Sequence, residues 1–466
     1  MTDPDNGAGN HTRHQVGGRV LFIVYYLPPM GSSGVQRPLK LIKYLPRFGW
    51  QPVVVAPVPG IYHTFDQSLL DELNETGAEV HRVQGNTLFH AAGDRSFGLS
   101  ALPESARSVL RSISSWVYLP DNKKGWIKPA ISKCNEILAS DKIDVIFSTA
   151  PPYSNHLIAA DLGKRHGIPV VMDFRDDWLG SHLLNLPTAL HRNKMARFEK
   201  KTLQQASLIT AINQTMLLSL RSRNDDEYLF AGTTGRRSDK QFMVLPQGFD
   251  PADFPDTGRN TATGKVSSDR IKITYSGIFY GSQQPDVFLG AVKYLMDQNY
   301  ISGRDIELVF QGGLEKPVLN RISELGLEGV ITNKGYLPHR KSVGNLSDSD
   351  LLWFTVGRQK NDNQVTTGKL FEYIGTGKPI LGLVPDGEAA RILDEYGAGF
   401  RAEPDNQKQV QQVLTEILSK LRSKRIPKAD PAFIHSFNRI DIAGRLASRF
   451  DELKIQYTTG FRNPDE

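Results

Sequence analysis

The stretch Thr367-Gly368-Lys369-Leu370-Phe371-Glu372-Tyr373-Ile374 puts a glycine, a lysine and a glutamate within about one turn of what reads as a helix start. Pro379-Ile380-Leu381 then opens an apolar strand. Unpaired N–H groups at a helix N-terminus favour anions. Lys369 would add a point charge there, and the Glu372 carboxylate could accept hydrogen bonds from two hydroxyls of a ribose. This chemistry suits a ligand with phosphates at one end and hydroxyls at the other, such as a nucleotide-sugar. The same residues could also be a solvated capping carboxylate and an ordinary surface lysine.

Two segments nearer the N-terminus also carry reactive groups. Gly31-Ser32-Ser33-Gly34 follows the first apolar run, at the strand end where open α/β sheets bind ligands. It is not Gly-x-Gly-x-x-Gly, and no acidic residue closes a second strand about 20 residues on, which argues against a dinucleotide dehydrogenase. The other segment is Asp173-Phe174-Arg175-Asp176-Asp177-Trp178. Arg175 cannot act as a base at neutral pH but can orient hydroxyls or a phosphate. Asp176 or Asp173 could accept a hydrogen bond from an acceptor or stabilise positive charge on a sugar, and a plain Arg–Asp structural pair is the alternative.

The elements that must position these groups alternate strand and helix. Apolar runs at 19–25, 52–56, 144–148, 169–174 and 207–211 read as strands. Helical spacing falls at 37–48, 153–166 and 195–205. A second series of strands, at 272–276, 307–311, 330–334, 350–355 and 379–384, follows Leu245-Pro246-Gln247-Gly248-Phe249-Asp250. Runs that are apolar on both faces argue for parallel sheets covered on two sides, and 466 residues exceed one core. Polar stretches at 224–239 and 256–270 read as exposed loops. A single cysteine, Cys134, offers no internal disulfide and no zinc-like cluster. No apolar leader or membrane-length run is evident, so a cytoplasmic protein is expected. The net charge of +6 mildly favours acidic partners, but basic stretches interleaved with aromatics are lacking, so nucleic acid is not expected.

Taken in order, Tyr25-Tyr26-Leu27-Pro28-Pro29 with Gly31 and Gly34, Ser148-Thr149-Ala150-Pro151-Pro152, the Asp173–Trp178 segment, Pro246–Asp250, Ser276-Gly277-Ile278-Phe279-Tyr280-Gly281 and the segment from Gly368 to Leu381 resemble glycosyltransferase family 4. The resemblance covers 19 to about 455. It implies an α/β protein of GT-B architecture, two Rossmann-like domains with parallel sheets facing across a cleft. The division would be a tail at 1–18, an acceptor-side domain at 19–245, a nucleotide-sugar domain at 246–430, a crossover helix at 431–455 and a tail at 456–466. The implied activity is transfer of a hexose-type sugar from a UDP- or GDP-linked donor to a glycan or lipid-linked acceptor, with retention and without metal or cofactor, in polysaccharide or glycoconjugate synthesis.

The same resemblance gives roles to residues. Glu372 would hold the ribose. Gln364 stands where many members carry the first glutamate of a Glu-x7-Glu pair, and it brings no charge. The loop after the first strand of the second domain, Phe279 to Pro285, lacks the usual cations, which leaves Lys369 as leading phosphate ligand. Gly277, Gly368 and Thr367 would let backbone approach, with Tyr280 beside them, and Arg358 or Lys360 would give weaker help. Tyr336 and Leu337 would lie near the base, Gly31 and Gly34 near the donor from the other domain, and loops at 65–97 and 116–126 near the acceptor. The alternatives are a degenerate nucleotide-sugar-binding partner protein or a GT-B nucleotide-sugar epimerase; no lysine motif matches a pyridoxal-phosphate phosphorylase. Phe437, Leu446 and Phe450 are expected buried on the crossover helix. The basic run at 191–201, with Leu190, Met195 and Phe198 as apolar contacts, suggests contact with an anionic membrane from its inner face.

Overall fold

The computed structural model describes residues 17–31, 33–60, 65–85, 119–181, 186, 188–225, 241–254 and 270–459. Residues 226–239 and 256–269 of the expected polar loops, 86–97 and 116–118 of the acceptor loops, Ser32, and 1–16 and 460–466 of the tails lie outside these residues.

Thirteen strands among the described residues form two parallel sheets. The first holds β1 (Gly18–Ile23), β2 (Trp50–Pro57), β3 (Glu79–Val83), β4 (Val145–Ala150), β5 (Val170–Phe174), β6 (Leu208–Ala211) and β7 (Gln241–Val244), in the order β3-β2-β1-β4-β5-β6-β7. The second holds β8 (Ile271–Ser276), β9 (Ile306–Gln311), β10 (Ile331–Asn333), β11 (Leu351–Thr355), β12 (Ile380–Leu383) and β13 (Gly399–Ala402), in the order β10-β9-β8-β11-β12-β13. In each sheet the order reverses beside the first strand, between β1 and β4 and between β8 and β11. At such a switch the flanking connections diverge and leave a crevice at the strands' carboxyl ends.

Central strands such as β4, β5 and β11 are buried along their whole length, while the edge strands β3, β7, β10 and β13 are only partly covered. Helices cover both faces of the first sheet. On one side lie α1 (Ser33–Tyr44) and α2 (Gln67–Glu75); on the other lie α3 (Ile127–Ser140), α4 (Ser154–His166), α5 (Ala189–Leu203) and α6 (Gln214–Asp225). Around the second sheet come α7 (Asp286–Asp297), α8 (Lys316–Glu324), α9 (His339–Leu346), α10 (Gly368–Thr376), α11 (Glu388–Tyr396) and α12 (Gln407–Arg422). The short α13 (Pro431–His435) leads into α14 (Arg439–Thr459), where a single helix was expected.

Helix α14 returns to the first domain and closes the face shared by α1 and α2, burying Ile442, Leu446, Phe450 and Leu453 against Val20, Phe22, Trp50 and Phe147. The Phe450 ring stands 5.2 Å from that of Trp50. Phe437, expected buried, is half-buried instead, because it precedes α14 and packs on Phe371 and Phe433 at the edge of the second domain. The two chain passages between the domains run side by side: Phe249 donates its N–H to Phe437 O (3.0 Å) and Arg439 donates to Phe249 O (2.9 Å).

Helix α5 turns Met195, Glu199 and Leu203 inward at helical spacing and leaves Arg192, Lys194, Arg197, Lys200 and Lys201 exposed. Met195 is therefore not available as a membrane contact: it is fully buried, and its Sδ accepts from Trp178 Nε1 at 3.1 Å. Phe198 packs partly on the same core, so Leu190, 80% exposed, is the apolar group that protrudes from this helix. Among the described residues no helix is long and apolar enough to cross a membrane.

Candidate functional site

Both switch points open on one cleft. On the second domain's side, α10 begins directly above the gap between β8 and β11. Lys369 and Glu372 sit three residues apart and so share a helix face. Lys369 Nζ donates to Tyr275 Oη at the end of β8 (2.7 Å) and lies 4.3 Å from that ring's centroid. Burial lowers the Lys369 pKa to about 8, against a smaller opposing pull from Glu372.

The backbone beneath Lys369 must be glycine. Gly277 has φ +124° and Gly312 has φ +135°, values that L side chains rarely adopt. A Cβ on Gly312 would stand 2.1 Å from Gly277 O, and one on Gly277 would stand 3.1 Å from Lys369 Nζ. The loops after β8 and β9 thus touch backbone to backbone, which brings Lys369 over the sheet end.

At the start of α10, Thr367 takes the cap position without capping: its Oγ1 is buried and lacks a hydrogen-bond partner, and the space around Gly368 is open. The helix start therefore presents its N–H groups, a hydroxyl and an ammonium together, an arrangement suited to phosphate oxygens. Glu372 Oε1 lies 3.8 Å from His339 Nδ1, and His339 Nε2 lies 3.2 Å from Asp253 Oδ2. Gln364 belongs to a short 3₁₀ turn, and its carbonyl accepts from Asn213 Nδ2 of the first domain (2.8 Å). Tyr336 and Tyr280 are about half exposed and Leu337 is half-buried. Arg358 does not supply a free cation. Its guanidinium pairs with Glu403, with Asp362 and Asp405 also within 4 Å.

The opposite wall comes from the ends of β1, β4 and β5. Arg175 is buried, donating from Nη1 to Gly34 O (2.5 Å) and from Nη2 to Pro151 O, while its Nε finds no partner. Gly34 lies in the first turn of α1, so Arg175 fastens the loop after β1 to the loop after β4. Beside it, burial raises the Tyr26 phenol pKa; Arg175 eases that rise while Asp121 and Asp176 reinforce it. Asp176 is half-buried and faces across the cleft: partial burial raises the Tyr280 phenol pKa, and the Asp176 charge adds to it. Gly31 meets the second domain as well, since a Cβ there would stand 3.2 Å from Tyr336 Oη.

Asp173 is not a substrate ligand. It is fully buried, and its carboxylate accepts from Arg37 Nε and Nη2 (2.9 and 2.7 Å), Thr149 Oγ1 (2.8 Å) and Thr210 Oγ1 (2.7 Å). Burial alone would raise its pKa, but Arg37 and the two hydroxyls outweigh this and hold it low. Arg37 also donates to Leu245 O and Pro246 O (2.7 and 2.6 Å). The pair therefore locks α1 to β5 and to the connecting segment behind the cleft.

Further bridges close the cleft's far side. Glu388 Oε1 accepts from Thr215 N and Oγ1 (2.8 and 2.7 Å), and Asn361 Nδ2 donates to Gly180 O (2.6 Å). Sequence reading found neither these groups nor Tyr26, Tyr275, Asp253 and His339. Tyr26 stood in a quoted motif, but nothing in the sequence aligns Asp253, eighty-odd residues upstream, with His339. Among the described residues no group of three His, Cys, Asp or Glu side chains could hold a metal ion.

Residues 34–225 match the glycosyl transferase 4-like domain. No curated protein matches the chain by sequence. Among solved structures, a sucrose-phosphate synthase from Thermosynechococcus elongatus superposes with TM-score 0.60 at 13% identity, covering 94% of this chain and 99% of the other. An Anabaena protein, HepE, in complex with UDP-glucose gives TM-score 0.52 at 14% identity, covering 95% and 99%. A putative UDP-N-acetylglucosamine 2-epimerase from Listeria monocytogenes gives 0.55 at 13% identity, covering 94% and 97%. At these identities the likeness is one of fold. Residues 34–225 thus carry the likeness to the glycosyl transferase 4-like domain, and the two parallel sheets of seven and six strands give the chain as a whole the GT-B fold.

Proposed function

We propose that the protein transfers a sugar from a UDP- or GDP-linked donor to a glycan or lipid-linked acceptor, with retention of configuration. The observation that carries this reading is the Lys369 and Glu372 pair on the first turn of α10, set over the β8–β11 switch and opposite Arg175 and Asp176. Lys369, Thr367 Oγ1 and the N–H groups of α10 would bind the diphosphate, and Glu372 the ribose. In the transfer, the bond from the sugar's anomeric carbon to the diphosphate oxygen breaks with its electron pair going to the diphosphate, and the acceptor oxygen bonds to that carbon. The acceptor's proton leaves to the departing diphosphate. Lys369 stabilises the charge that builds there, while Asp176 faces the developing positive charge on the sugar.

The Listeria neighbour supplies a second reading, isomerisation of a nucleotide-sugar. Purified protein incubated with a panel of UDP- and GDP-sugars separates the two. A transferase releases nucleoside diphosphate and does so faster with acceptor, whereas an epimerase converts the donor to its isomer with none. Wild-type protein whose melting temperature and products are unchanged by every donor would refute both. The basic face of α5 would bring a lipid-linked acceptor's anionic surroundings to the first domain, in a cytoplasmic protein held at the membrane's inner face.

A further inference from the structure

We propose that His339 is a positioning residue for the donor, holding the Glu372 carboxylate in the orientation that receives the ribose hydroxyls and tying it to the segment that joins the two domains. This rests on the donor reading above.

His339 meets three separately encoded parts of the chain. Its backbone N–H donates to Asp66 Oδ2 of the first domain (3.3 Å), its Nε2 meets Asp253 Oδ2 of the connecting segment (3.2 Å), and its Nδ1 faces Glu372 Oε1 (3.8 Å). Asp253 is itself fixed by Lys40, whose Nζ lies 3.0 Å from its Oδ1 and 2.7 Å from both Asp250 Oδ2 and Glu72 Oε1. Lys40 is 1% exposed, so this group of charges is an internal fixture.

The tautomer argument follows from that geometry. With Nε2–H given to Asp253, a neutral ring would turn the Nδ1 lone pair toward a carboxylate. Only the imidazolium offers a proton to each side. The charges that act on the ring are Glu372 from α10, Asp253 from the connecting segment and Lys40 from α1; Asp66 meets its backbone N–H, Asp250, Glu72 and Lys43 stand behind Lys40, Lys369 stands beside Glu372, and Arg340 and Lys341 follow on its own helix. Burial lowers the His339 pKa, but Glu372 and Asp253 outweigh it and the net direction is up. The charged clasp is present below the ordinary histidine range and is lost as pH rises through that elevated value. Without it Glu372, on the surface of α10, keeps its rotamer freedom and presents two oxygens to the ribose less often.

The test compares the affinity of UDP with that of 2′-deoxy-UDP by calorimetry, and of the GDP pair in parallel, for wild type, His339→Ala and His339→Gln. Wild type is expected to prefer the ribose form by about tenfold. Both variants should lose most of that preference while binding the deoxy form nearly as wild type does. The wild-type preference should also fall as pH is raised, in a ratio from which ionisation of base and phosphate cancels. A structural role alone would weaken both ligands equally, and that result, or a preference kept in both variants, overturns the proposal. If neither UDP nor GDP binds wild type, the donor reading fails first and takes the inference with it. Circular dichroism melts of the variants identify a folding defect, and His339→Gln, which keeps a donor for Asp253, covers the case in which the alanine variant does not fold.

Discussion

Raising the pH should weaken donor binding through Lys369. Its ammonium lies against Tyr275 and over Gly277, half-buried, with pKa lowered from 10.5 to about 8. That difference corresponds to at most about 3 kcal/mol, less once residual solvent exposure is counted. A bound diphosphate replaces the lost hydration with two negative charges and restores the ammonium. Affinity for a nucleotide-sugar is therefore expected to fall about tenfold between pH 7 and pH 9, if the bound pKa returns to the ordinary value. The stability of the unliganded protein moves the other way. Between about 8 and 10.5 the unfolded chain holds the proton more tightly than the folded one, so this residue's contribution to stability rises with pH. Calorimetric titration of the donor across pH 7 to 9 reads the first effect. Lys369→Arg, charged throughout, controls for ionisation of the nucleotide base, and Lys369→Met should bind weakly with no pH slope of its own. A flat wild-type profile, or the same fall in Lys369→Arg, would refute the assignment of Lys369 to the phosphates.

Other outcomes follow from the same geometry. Glu372→Gln should weaken nucleotide-sugar binding by about 1.5 to 3 kcal/mol, the worth of a charge-assisted hydrogen bond; a folded variant with unchanged affinity would remove Glu372 from the site. Phe450→Ala, at a side chain with no exposure against Trp50 and Phe147, should cost about 3 to 5 kcal/mol in urea unfolding. A loss under 1 kcal/mol would mean that α14 does not complete the first domain's core. Replacing Arg192, Lys194, Arg197 and Lys201 with glutamine should abolish co-sedimentation with anionic vesicles at low salt, each cation being worth about 1 kcal/mol there. Equal sedimentation of wild type and variant, or none by either, removes the membrane contact.

The sequence made the central strands plain, because β4, β5 and β11 are apolar on both faces and must lie inside a covered sheet. It was silent on β3, β7 and β13, which are edge strands with one flank open and so carry no continuous apolar run. The cluster at the start of α10 was legible because Gly368, Lys369 and Glu372 are neighbours in the chain. His339, Asp253 and Tyr275 were not, since folding alone brings them beside α10. Asp173 misled for a related reason: a carboxylate near an arginine looks reactive, but its partner is Arg37, 136 residues away, and the pair is sealed against the connecting segment. Met195 misled because sequence alone does not say which side of a basic helix faces the sheet.

The return of α14 sets a schedule for synthesis. The first domain's strands leave the ribosome early, yet the face made by Val20, Phe22, Trp50 and Phe147 is covered by residues 442–453. Nearly two hundred residues, the whole second domain, must be translated in between. At ordinary elongation rates that delay is on the order of 10 to 40 s. During it, a nascent first domain exposes the part of that surface which residues 442–453 later cover. Chains that stall before residue 442 should therefore depend on chaperones for solubility, and an isolated 17–254 fragment should regain solubility when a peptide spanning 439–459 is supplied in trans.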